Sequence, residues 1–139
     1  MTETIVLSTV ICMFLAGFIW QLGSIARRVG PPAKLQVDQD GYAVMYKWLV
    51  RTSRGYRSPE RGTLWIDGRM SATEPPATGN EHGVHGSLTP SWPGLEVYRR
   101  MAGRGRAVLV RLRCSGAYVL GAQEGKFEHV EIMEVLKCA

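Results

Sequence analysis

The chain has 139 residues, 45% of them hydrophobic and 21% charged, which is room for one folded domain with an appendage and too little for two sizeable cores. A formal charge of +5 favours anionic partners without choosing among lipid headgroups, nucleotides and nucleic acid. Three cysteines, with Cys12 inside an apolar run, exclude a dense disulfide framework and a paired CxxC metal motif.

Residues 5–26, IVLSTVICMFLAGFIWQLGSIA, contain no charged side chain. At about 1.5 Å of rise per residue, a helix of this length crosses a hydrocarbon layer of roughly 30 Å, so residues 1–27 are expected to form one transmembrane anchor. A cleaved signal peptide fits poorly, because the chain opens with the acidic MTE and no A-x-A site precedes Arg27. Glu3 lies before the segment, whereas Arg27, Arg28 and Lys34 follow it. The positive-inside rule therefore predicts a single-pass membrane protein with its N-terminus outside and its C-terminal domain in the cytoplasm.

Gly30-Pro31-Pro32 stops the helix and opens a linker, read as residues 28–40, ahead of a β-rich domain over 41–139. In GYAVMYKWLVR the alternation predicts a strand buried mainly on one side, with Tyr42, Val44, Tyr46, Trp48 and Val50 inward and Lys47 on the other face. RTSRGYRSPERG reads as a turn or hairpin loop leading to a second strand, TLWIDGRM. Residues 71–94 hold four prolines and four glycines and predict a long surface loop, with a short extended piece at Gly83 to Leu88. Such a loop serves as a spacer or as a binding rim.

LEVYRRMAG has the spacing of a short amphipathic helix, with Leu95, Tyr98 and Met101 or Ala102 inward, Arg99 and Arg100 outward, and Gly103 and Gly105 ending it. RAVLVRLRC then alternates as a strand, Val108, Val110, Leu112 and Cys114 facing one way and Leu109, Arg111 and Arg113 the other. AYVLGA is a further short strand and FEHVEIMEVLK the last. Short strands between Gly-rich turns, with one short helix, predict a small β-barrel, OB-like or SH3-like.

Chemistry-bearing patterns are thin. His82 and His85, beside Glu81, supply the HxxH spacing, but flanking glycines oppose a helix and no third ligand is placed, so no metal site is expected. Ser87, Ser91 and Ser115 lack a nucleophile-elbow context, and Cys114 with His129 is only a pair of suitable residue types. No phosphate loop is present, so no catalytic residue, cofactor or enzyme activity is predicted. Cys114 and Cys138 read as reduced, buried, small apolar residues, although an oxidising compartment would permit one disulfide between them.

Arg99, Arg100, Arg104, Arg106, Arg111 and Arg113 fall within fifteen positions and form the predicted anion- or partner-binding patch, because guanidinium groups grip carboxylates and phosphates through paired hydrogen bonds. The competing reading pairs the strand arginines with Glu128, Glu131 and Glu134 across the sheet. Tyr46, Trp48, Trp65 and Trp92 could stack a base, the first three fitting a core better. Together these features predict a membrane-anchored, non-enzymatic β-domain that senses or recruits an anionic partner, as an adaptor or a small subunit of a membrane complex. Membrane lipid and a protein partner or second copy are the expected contacts; a nucleotide is admitted, and nucleic acid ranks lower because a freely diffusing binder needs no anchor. The alternative is a nucleotide-gated effector that oligomerises and perturbs the bilayer. In outline, an apolar anchor plus a small barrel is similar to membrane effectors of bacterial cyclic-nucleotide immunity, at the level of architecture and with one helix in place of two.

Overall fold

The computed structural model describes residues 33–139; the predicted anchor and residues 28–32 of the predicted linker lie outside the described residues. No helix among the described residues is long and apolar enough to cross a membrane. The domain is mainly β with one short helix. Its elements are β1 (Gln36–Val37), β2 (Ala43–Thr52), β3 (Gly55–Arg57), β4 (Arg69–Ser71), β5 (Val84–Ser87), α1 (Leu95–Ala102), β6 (Ala107–Leu120) and β7 (Glu124–Cys138).

All pairings are antiparallel and four strands close a circuit. β2 runs along β6 from Val50↔Ala107 to Ala43↔Cys114, and β6 pairs β7. β7 pairs β5 over Val84↔Phe127 to Ser87↔Glu124, and Ser87 returns to Tyr46 of β2. β1 and β3 add to β2, and β4 adds to β7. Inside the circuit lie Met45, Leu49, Leu88, Val110, Leu112 and Phe127, each no more than 2% exposed.

The one-sided burial expected for β2 is corrected by α1. The helix lies over the outer face and buries Val44, Tyr46, Trp48 and Leu109 beneath Leu95 and Ala102, while Met45 and Leu49 fill the interior. A strand covered on both faces loses its apolar/polar alternation, and GYAVMYKWLVR is apolar at nearly every position for that reason. Lys47 is the exception and shares the parity of Met45 and Leu49, yet only 3% of it is exposed.

TLWIDGRM is not a continuous strand. Asp67 (φ 52°) and Gly68 (φ 73°) make a two-residue turn closed by reciprocal amide bonds between Ile66 and Arg69, so the chain doubles back into β4. Asp-Gly favours this turn because both central residues need positive φ. Trp65, just before it, is buried and donates its indole N–H to Ser58 Oγ at 2.8 Å.

Two breaks expected in the chain are also absent. β6 continues through Ser115-Gly116, where the register against β7 shifts and Gly116 adopts φ +81°. A Cβ there would meet the Glu128 Cβ at 2.9 Å, so glycine lets the strand kink against its neighbour where the sequence suggested a turn. Residues 33–40, expected as linker, belong to the folded body: the Ala33 amide donates to Ala122 O at 2.7 Å, Leu35 packs on the interior core, and β1 extends the sheet. Within the expected loop 71–94, the extended piece predicted at Gly83 to Leu88 is β5, with Val84, Ser87 and Leu88 buried.

Candidate functional site

β6 sets Arg111 and Arg113 opposite Tyr46 and Val44, on the same face as Leu109. Arg111 Nε donates to Glu134 Oε1 at 2.8 Å. Arg113 donates to Asp38 Oδ2 at 3.1 Å and Asp40 Oδ2 at 3.0 Å, and its guanidinium carbon lies 4.7 Å from the Tyr42 ring centroid. Partial desolvation raises the Asp38 pKa, but amide hydrogen bonds from Tyr42 and Asp40 together with Arg113 outweigh it and hold the carboxyl below its usual value. The pairing read across strands therefore holds for Arg111 with Glu134, whereas Arg113 turns to the β1–β2 connection and Glu131 pairs with Arg69.

On α1, Arg99 grips Glu96 through Nε and Nη2, and the Arg100 Nε lies 3.9 Å from the same carboxylate. The Arg99 hydrogen bonds lower the Glu96 pKa, as an i,i+3 pair does. Arg104 and Arg106, in the turn after α1, are exposed and have no carboxylate partner among the described residues.

Strand pairing adds two arginines that sequence spacing did not reveal. The Arg51 amide donates to Arg106 O at 2.8 Å, which brings exposed Arg51 beside Arg106, and the Thr52–Gly55 hairpin tip carries exposed Arg54. Neither has a carboxylate partner among the described residues; Arg51 Nη2 donates to Cys138 Sγ at 3.2 Å. Cys138 is thus exposed, not buried as expected, while both cysteines are free. The six predicted site residues consequently divide. Arg111 and Arg113 are matched by acids about 20 Å along β6 from the end that carries Arg104, Arg106, Arg51 and Arg54, none of which has a carboxylate partner among the described residues. Arg99 and Arg100 share one carboxylate.

No known family, curated protein or solved structure matches the chain.

A second polar cluster lies under α1. Lys47 Nζ donates to Glu60 Oε1 at 2.7 Å and sits 5.6 Å from the Tyr98 ring centroid. Burial lowers the Lys47 pKa, and Glu60 works against that by favouring the charged form. Nearby, burial lowers the His85 pKa, with the Lys47 charge adding to the effect, and burial raises that of Glu124. The adjoining cleft has a volume of about 200 Å³ and carries Glu60, Glu81 and Arg61 on its wall, with Arg61 paired to Glu81.

His82 Nε2 lies 2.9 Å from Glu74 Oε2, and no three metal-ligating side chains converge among the described residues. Burial pushes the Cys114 thiol up to about 12, which suppresses the thiolate a nucleophile requires. His129 Nδ1 lies 2.8 Å from Ser71 Oγ, and its Nε2 lies 3.4 Å from Glu128.

Proposed function

We propose that this chain is a membrane-anchored, non-enzymatic binding module: residues 1–27 span the bilayer once, the OB-like or SH3-like β-domain lies in the cytoplasm, and its free arginine end captures an acidic protein surface. The observation that carries the reading is the placement of Arg51, Arg54, Arg104 and Arg106 at one end of the β2–β6 pair with no carboxylate partner among the described residues. Exposed cations of one sign steer an oppositely charged partner and hold it through charge-assisted hydrogen bonds, with a strong dependence on salt. Arg99 and Arg100 flank this end and contribute less, because Glu96 already engages them. The nucleotide-gated alternative draws no support from a specific feature, since the surface hollow lined by Arg111 and Arg113 is also lined by Asp38 and Asp40.

The test is retention of the full chain, in detergent micelles, on a poly-glutamate resin under a rising salt gradient. The Arg104→Glu/Arg106→Glu variant is expected to elute at markedly lower salt than the parent, while Arg111→Gln/Arg113→Gln elutes near it. Equal elution of the parent and the Arg104/Arg106 variant would remove this end as the capture surface. Resistance to alkaline extraction from membranes, with a C-terminal tag protected from protease until cells are opened, tests the anchor and its direction.

A further inference from the structure

Exposed apolar side chains occur on several elements, and two of them stand where the chain enters the domain. Tyr118 is 56% exposed and Leu120 41% exposed, and both stand at the β6 end of the β6–β7 hairpin. Tyr118 stacks on Phe127, an interior residue, with ring centroids 5.2 Å apart. Leu120 crowds the face of Gly125 that the Met45 sulfur also crowds: an added Cβ would lie 3.2 Å from Leu120 Cδ2 and 3.3 Å from Met45 Sδ. Both side chains therefore project from the interior side of the sheet and rim one mouth of the strand circuit, covering its core incompletely.

The chain enters the domain at this mouth. Ala33 is hydrogen-bonded to Ala122 O in the hairpin tip, two positions from Leu120, and Ala33 and Leu35 pack on the same interior core. Lys34 between them is exposed. Only residues 27–32 separate Ala33 from the end of the apolar segment, a tether that reaches at most about 25 Å when fully extended.

We infer that the mouth rimmed by Tyr118 and Leu120 rests on the bilayer that carries the anchor, with these two side chains entering the headgroup layer beside Lys34. This rests on the anchored reading above and adds which face of the domain meets lipid. Tyrosine suits that zone because its ring is apolar and its hydroxyl stays hydrated, and a lysine beside it meets anionic headgroups. The free arginine end is then left to a partner, and the mouth supplies the membrane contact.

The experiment uses the full chain in phosphatidylcholine/phosphatidylserine vesicles. Cys12→Ala and Cys138→Ser leave only the buried Cys114, and an environment-sensitive NBD label is placed at Leu120→Cys, or in a second variant at Tyr118→Cys in case the first perturbs packing. Met101→Cys, on a site of α1 about as exposed as Tyr118 and more exposed than Leu120, is the reference. The mouth labels are expected to emit at shorter wavelength than the Met101 label, and to be quenched several-fold more by nitroxide-headgroup lipid. Emission and quenching equal to the Met101 label in alkali-resistant, inserted protein would overturn the inference while leaving the anchor intact. A blue-shifted label untouched by nitroxide lipid would overturn it in favour of a second copy or another protein over the mouth. Release of the chain by alkali would instead overturn the anchored reading, and the lipid contact with it.

Discussion

Arg113 and Arg104 belong to one short stretch of chain, yet the fold treats them in opposite ways. Arg113 is held by Asp38 and Asp40 over the Tyr42 ring, and Lys47 deeper in the domain is held by Glu60. Arg104, Arg106, Arg51 and Arg54 have no such partners among the described residues, and they share one end of the sheet. Cations of the first kind are part of the structure: their hydrogen bonds tie the β1–β2 connection to β6, and the Ser58–Gly62 turn to β2. Cations of the second kind are not tied to acids in this way, and only the Arg51 guanidinium, through Cys138 Sγ, is hydrogen-bonded to another side chain among the described residues.

Removing acids that serve the first group should therefore cost stability. Glu60→Ala leaves Lys47 without its counter-charge in a site where it is almost wholly buried, and a loss of about 3 kcal/mol is expected in urea unfolding. Adding Lys47→Met should recover most of it, because the stranded charge is then gone; a loss well under about 1 kcal/mol from Glu60→Ala alone would contradict the pairing. Asp38→Ala removes an acceptor shared by Arg113 and the amides of Asp40 and Tyr42, and a smaller loss of stability than for Glu60→Ala is expected, read as a lower unfolding midpoint.

A smaller effect belongs to pH. His85 ordinarily titrates near 6.5, but burial, with Lys47, Lys126 and Arg61 nearby against only Glu60, lowers its folded value. In the window between that lowered value and 6.5 the unfolded chain holds more protons, so stability is full above the window and falls as pH drops through it. Urea midpoints between pH 7 and pH 5 should decline less in His85→Gln than in the parent; parallel declines would show that His85 does not titrate this way. Smallest of all, Arg104→Ala and Arg106→Ala should each change stability by less than about 0.5 kcal/mol, and a larger loss would move them into the structural group.

Much of the domain was legible in short-range patterns. The faces of β6, with Val108, Val110, Leu112 and Cys114 together, follow from alternation, and α1 follows from its apolar spacing and the glycines after it. β5 was legible as a short extended piece in an otherwise Pro- and Gly-rich stretch. The Asp67-Gly68 turn was written in the sequence as well, but the apolar residues around it suggested a longer strand. The candidate site was legible only in part. Arg104 and Arg106 stand out as a cluster, but nothing near them in the sequence points to Arg51 or Arg54, which arrive through the β2–β6 register.

By itself the sequence determined an apolar segment long enough to span a bilayer, a mainly-β remainder with one helix, and an excess of arginine near residues 99–113. These are properties of composition and of repeats two to four residues long, which neighbouring side chains impose on the backbone directly. Only the tertiary structure decided that β2 is buried on both faces, that Lys47 lies inside with Glu60, and which arginines are matched by acids. Those outcomes depend on which distant strands share hydrogen bonds and where their connections carry Asp38, Asp40 and Glu60. Charge pairing acts over a few ångströms in space, and sequence distance carries no record of it.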